Sequence, residues 1–239
     1  MTARKLTQLM PRVFALYLFT YLPTHKTLIL ADLHLGFEEQ LEREGILVPR
    51  VQFKGIIERL KWAFEQVTVK KLVLNGDIKH EFGRISRQEW NDIAKLVKFV
   101  REQGIEIVAV RGNHDTVFGP VARELKIEEV DEVRMGDVLI VHGDYIPKEL
   151  EPVIIIGHEH PAIVLRENSK QEKFKCFVKA HFKKSVLIVQ PSCNPFTQGT
   201  DVRTERFLSP LLAKSTRREV FIVDENTREV LSFGKVDRL

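Results

Sequence analysis

The chain has 239 residues, 44% of them hydrophobic and 29% charged, with a formal net charge of +4 and a pI near 9.0. That length can bury one sizeable α/β core. No run reaches the roughly 20 apolar residues of a membrane span, so the expectation is a soluble cytoplasmic protein with no membrane partner. Only Cys176 and Cys193 are present, which excludes a disulfide framework and a Cys-rich zinc site.

In chain order, Val13–Thr20 and Lys26–Ala31 are β-leaning runs separated by Pro23, the pattern of a hairpin. The run Val13–Leu22 is too short for a membrane span and holds Tyr17, Thr20 and Tyr21. No small-residue signal-peptide cleavage site follows it, and Pro23 and Lys26 come next. Phe53, Ile56, Ile57, Leu60, Ala63 and Val67 recur at helical spacing. Lys71–Asn75 is a short buried-type strand. Ser86 and Glu89 form a capping box that opens a helix burying Trp90, Ile93, Ala94, Val97 and Val100, and Gly104 stops it. Ile105–Val110 is the next strand. Past residue 130 short apolar runs dominate, at 138–141, 153–156, 162–165, 174–182, 186–189, 220–223 and 230–233. A βαβ first half and a strand-rich second half predict packed sheets with helices outside. A single domain over 1–239 is expected, with a motif core at about 26–161 and a strand-rich part at 162–239.

Five short motifs follow apolar runs. They are Asp32-Leu33-His34, Gly76-Asp77, Gly112-Asn113-His114-Asp115, His142-Gly143 and Gly157-His158-Glu159-His160. In an extended chain alternate side chains share a face, so Asp32 and His34 can reach one site, as can His158 and His160. Glycines at 76, 112, 143 and 157 allow sharp turns without a Cβ clash. Donors of Asp, Asn and His without Cys suit manganese, iron, zinc or nickel, whereas calcium takes oxygen ligands. A lone Gly-Asp is usually a turn and a lone His-x-His is usually structural. Five such motifs in this order point to a metal centre.

On these motifs, from Leu28 to about Pro161, the chain resembles the calcineurin-like metallophosphoesterases. The resemblance implies an α/β (α+β) fold, a four-layer αββα sandwich of two mixed β-sheets flanked by helices. It implies two divalent ions, manganese foremost. One would be held by Asp32, His34, Asp77 and His160, and the other by the bridging Asp77 with Asn113, His142 and His158. It implies that His114 protonates the leaving oxygen, that Asp115 orients His114, and that a hydroxide activated between the ions attacks phosphorus in line. A phosphodiesterase is the first expectation. A phosphomonoesterase or nucleotide hydrolase on small substrates is the alternative, and a non-catalytic scaffold of the same fold is the third reading.

Within the family the chain looks most like the small phosphoesterases associated with DNA ligases and helicases of bacteria and archaea. The residues that carry this are His34-Leu35-Gly36, the run from Gly76 to Phe82, and the stretch from Asn194-Pro195 to Gly199-Thr200-Asp201. It implies a nucleic-acid substrate and a helicase or ligase partner. Lys79 and His80 are candidate substrate contacts. Residues 166–184 carry seven Lys or Arg against two Glu. Lys173, Lys175, Lys179 and Lys183 are expected on one face, opposite Phe174, Cys176, Val178, Ala180 and Phe182. That stripe either tracks phosphates or protects a solvated edge strand.

Overall fold

The opening apolar runs build a meander. In the computed structural model, which describes residues 5–167, 170–203 and 206–236, β1 (Thr7–Met10), β2 (Val13–Leu16), β3 (Phe19–Leu22) and β4 (Thr27–Leu30) pair antiparallel in sequence. The run at 13–20 is therefore two strands, not one. Tyr17 turns the chain at φ 57° while its ring stays buried, edge-on to Phe19 and Trp62. Beyond β4 the sheet continues in parallel through β5 (Lys71–Asn75), β6 (Glu106–Val110) and β7 (Glu128–Val130).

Parallel neighbours need crossovers, and the amphipathic segments supply them. Helices α1 (Phe37–Arg43) and α2 (Gln52–Gln66) join β4 to β5, α3 (Arg87–Glu102) joins β5 to β6, and α4 (Gly119–Glu124) joins β6 to β7. The expected cap on α3 is present. Ser86 Oγ accepts from the Glu89 amide at 3.1 Å, and the Glu89 carboxylate accepts from the Ser86 amide at 2.6 Å.

The second sheet takes its strands from the later chain: β8 (Glu132–Met135), β9 (Val138–Val141), β10 (Val153–Ile156), β11 (Pro161–Glu167), β12 (Lys170–Phe182), β13 (Ser185–Val189), β14 (Thr200–Asp201), β15 (Thr216–Asp224) and β16 (Glu229–Lys235). Their order is β14-β11-β12-β13-β10-β9-β8, with β15 also pairing β12 and β16. One face of this sheet, with Ile140, Ile155, Phe177 and Ile188, joins the core of the first sheet. The other face, with Leu139, Ile154, Cys176 and Val178, packs on Leu211 and Leu212 of α5 (Pro210–Ala213). Two mixed sheets between helical layers are the expected sandwich, though the layer over the second sheet is thin. Among the described residues no helix is long and apolar enough to cross a membrane.

The lysine stripe does not hold together as one external face, because Lys175 turns inward. Strand β12 is paired on both sides over Val178–His181, by β13 and β15, and by β11 alone over Lys170–Lys175. The apolar set at 174–182 does share a buried face, but Phe177 on the opposite face is buried too. Lys175 follows Phe177 inside, 6% exposed, its Nζ donating to the carbonyls of Ser192 at 2.9 Å and Asn194 at 2.5 Å. Lys179 pairs with Glu219 at 2.5 Å, and Lys183 lies in the turn after β12 with its ammonium over the Phe182 ring. Lys173 is half-buried. Among the described residues these four lysines form no continuous cationic face.

Candidate metal centre

The motifs follow the carboxyl ends of β4, β5, β6, β9 and β10, where parallel strands of both sheets release their loops to one place. The loops are not extended. Asp32, His34, Asp77, His158 and His160 sit at φ between 45° and 64°, left-handed backbone that a non-glycine residue adopts at about 1–2 kcal/mol each. The expected alternation in an extended chain is thus replaced by a series of left-handed kinks, which turn consecutive motif residues into one volume.

Hydrogen bonds hold those kinks. The His34 amide donates to the Asp77 carbonyl at 2.8 Å, and the Leu35 amide to the Ile78 carbonyl at 2.9 Å. The buried Gln52 side chain donates to the carbonyls of Leu33 and His34. The His158 amide donates to the Asp32 carboxylate at 3.0 Å, and the His114 amide to Asp77 Oδ1 at 2.9 Å. Two glycines are required by space. A Cβ on Gly76 would fall 2.1 Å from the His142 ring, and one on Gly112 would fall 2.2 Å from the Asp77 amide nitrogen.

The expected ligand set converges. Donor atoms of Asp32, His34, Asp77 and His160 lie within 4.8 Å of one another, as do those of Asp77, His142 and His158. Asp77 belongs to both groups, with Oδ2 3.6 Å from His34 Nε2 and Oδ1 3.4 Å from His142 Nε2. Asn113 adds its amide oxygen 3.1 Å from His142 Nε2. Carboxylate, amide oxygen and imidazole in two groups that share one carboxylate fit a pair of borderline divalent ions. A backbone contact supports that fit. His142 Nδ1 bonds the Asn75 carbonyl at 3.2 Å, which leaves Nε2 turned to the other donors.

The electrostatics follow from packing so many ionisable groups out of water. Burial alone would raise Asp77, but the hydrogen bond and charge of His142 outweigh it and hold the carboxyl well below its ordinary range. Asp32 is lowered likewise: His160 and His142 overcome its burial. Burial opposes a charge on His142, yet Asp77 and Asp32 raise it to about 9. Burial and then the His160 charge bring His34 down to about 3.

His114 lies beside this centre with Nε2 3.9 Å from Asp77 Oδ2. Its Nδ1 bonds the backbone carbonyl of His80 at 2.7 Å. That carbonyl, rather than Asp115, fixes the ring. The Asp115 carboxylate is buried and accepts from the amides of Ile78, Lys79 and Gly112, so it staples the Gly76-Asp77 loop to the Gly112-Asn113 loop. Lys79 is also buried, its Nζ donating to the Glu81 carbonyl, and is no substrate contact. His80 does reach the site, with Nδ1 3.4 Å from His34 Nδ1. Burial and the neighbouring His114 bring it to about 4.

Several supporting residues were not assigned to the site from the sequence. The Glu89 carboxylate accepts from the amides of His80, Glu81 and Ser86, so the residue that caps α3 also shapes the site loop. Glu159, between His158 and His160, accepts from the amides of Leu208 and Ser209 just before α5. Ser192 Oγ donates to the Asp32 carbonyl at 2.8 Å. The capping box could have signalled Glu89. Nothing local marks Ser192.

A family model described as calcineurin-like phosphoesterase matches residues 25–189. The chain belongs to that family. The match runs past the ligand motifs to the end of β13, so both sheets of this calcineurin-like phosphoesterase contribute to it. No curated protein matches it by sequence. Among solved structures it is similar to Pseudomonas putida nuclease MPE, with a TM-score of 0.67 and 21% identity, covering 92% of this chain and 94% of that one. At that identity the likeness concerns the fold. The family implies two divalent ions, and the Asp, Asn and His donors described above suit them.

Proposed function

We propose that this calcineurin-like phosphoesterase is a phosphodiesterase acting on nucleic acid in the cytoplasm, with manganese as its first metal and iron, zinc or nickel as substitutes. The observation that carries the two-metal phosphoesterase part of this reading is Asp77, shared by both donor groups, with His114 Nε2 3.9 Å from its carboxylate. The Pseudomonas putida relative of similar fold is a nuclease, which supports the choice of substrate, as does the resemblance to ligase- and helicase-associated phosphoesterases. That resemblance also makes a helicase or DNA ligase the partner to test.

Asp32, His34, Asp77 and His160 would hold one ion, and Asp77, Asn113, His142 and His158 the other. Bound there, two divalent ions lower the pKa of water and neutralise charge on phosphoryl oxygens. The chain's own work is positional and acid–base. The left-handed loops fix the donors before substrate arrives, so little reorganisation accompanies the reaction. As an imidazolium, His114 keeps its Nδ1 proton on the His80 carbonyl and offers the Nε2 proton to the leaving oxygen. After transfer the neutral ring retains the Nδ1 proton, and the carbonyl holds its orientation.

The test is a substrate panel on protein of measured metal content: bis-p-nitrophenyl phosphate, p-nitrophenyl phosphate and labelled oligonucleotides, with manganese. Diester and oligonucleotide cleavage exceeding monoester cleavage is expected. Preference for the monoester replaces this reading with a phosphomonoesterase. No turnover on any substrate by metal-loaded protein replaces it with a scaffold.

A further inference from the structure

A row of aromatic rings runs along one side of the centre. Phe196 lies 6.0 Å from Phe37, Phe37 lies 4.8 Å from His80, His80 lies 5.7 Å from His114, and Phe82 lies 3.8 Å from His114, each between ring centroids. The last ring is the anomaly. Phe82 is 58% exposed, a large apolar side chain left in water, tilted 36° against the ring placed to protonate the leaving oxygen. It borders a cavity of about 540 Å³ lined by Arg43 and Glu44 of the α1 end and by His80, Glu81 and His114.

The charge of that cavity narrows what enters. Arg43 is engaged by Glu39 at 2.6 Å and Glu81 at 2.8 Å. Glu44 adds another carboxylate, whose partner is the neutral Gln40 amide. Arg84 also pairs with Glu81, at 3.3 Å, so the charges around the cavity largely cancel. The lining cation Arg43 is already engaged, and an uncharged ring suits such a lining better than a second phosphate. Phe82 lies against the His114 ring and lines the same cavity, so a ring carried by a leaving group that His114 protonates is within reach of Phe82.

We propose that Phe82 is the stacking platform for the nucleobase on the leaving-group side of the scissile phosphate, in the cavity beside His114. This deepens the nucleic-acid phosphodiesterase reading and rests on it. Base–aromatic stacking is worth about 1–3 kcal/mol, or about 5- to 150-fold in kcat/KM.

The experiment uses manganese-loaded enzyme and three dinucleoside monophosphates: one with both bases, one abasic on the leaving side, and one abasic on the other side. All keep the same leaving oxygen, so any change at His114 cancels in their ratios. The parent should prefer the base-bearing over the leaving-side abasic substrate by about 5-fold or more. Phe82→Ala should bring that ratio close to one, and Phe82→Trp should keep it. The ratio for the other side should not respond to either change. A parent that cleaves the first two substrates equally, or a Phe82→Ala enzyme that keeps the preference, overturns the platform while leaving the diesterase reading standing. An enzyme that cleaves no dinucleotide yet hydrolyses p-nitrophenyl phosphate overturns both.

Discussion

Replacing Lys175 with methionine separates a buried cation from a surface one. Methionine keeps the length of the stem but removes the Nζ that donates to the carbonyls of Ser192 and Asn194. Two buried acceptors then lose a partner, at about 1–3 kcal/mol each. Removing the charge-burial penalty offsets part of that loss. The balance depends on pH. Burial lowers Lys175 from 10.5 to about 8. A lysine depressed on folding contributes stability that is complete above its unfolded value and is lost as pH falls through the folded one. The stability difference between parent and Lys175→Met should therefore be small near pH 7 and grow by roughly 2–3 kcal/mol toward pH 10, at 1.36 kcal/mol per pKa unit. Urea unfolding of metal-free protein, followed by far-ultraviolet circular dichroism at both pH values, measures it. A Lys183→Gln control should change stability by less than about 0.5 kcal/mol at either pH. If Lys175→Met behaves like that control, or if the gap closes as pH rises, the buried placement of Lys175 is wrong and the external stripe returns.

Asp77→Ala should abolish hydrolysis and lower metal content, since Asp77 stands in both donor groups; full activity with two metals per chain would refute the bridging role. His114→Ala should keep its metal and lose roughly 10²–10⁴ in turnover. That loss should shrink for nitrophenolate leaving groups, and equal losses on good and poor leaving groups would exclude the acid role. Asp115→Ala leaves the buried amides of Ile78, Lys79 and Gly112 without their carboxylate. Relief of the buried carboxyl offsets part of that loss, since burial and the neighbouring Asp77 raise it to about 7. The stability of metal-free protein should fall by about 1–3 kcal/mol, and an unchanged urea midpoint would show that Asp115 is not a loop staple.

The donor cluster was legible in the sequence, through the motifs that carry the family resemblance, because metal chemistry needs particular atoms and those atoms come only from particular side chains. Asp32, His34, Asp77, Asn113, His142, His158 and His160 could be named from motif order, and each lies where the structure gathers its donors. Most strands were legible for a related reason, since short apolar runs such as 138–141 and 153–156 have few other ways to hide. What the sequence could not decide was the surroundings of a residue whose neighbours lie far along the chain. The left-handed kinks at five of these donor residues are imposed by partners such as Gln52 and the Gly76 carbonyl. His114 is oriented by a backbone carbonyl, which carries no side-chain identity to read. The alternation in β12 located one buried face, and only the first sheet, packed on the other side around Phe177, put Lys175 indoors. A period of two reports that the faces of a strand differ in chemistry. Whether the second face meets water or another sheet is fixed by tertiary contact.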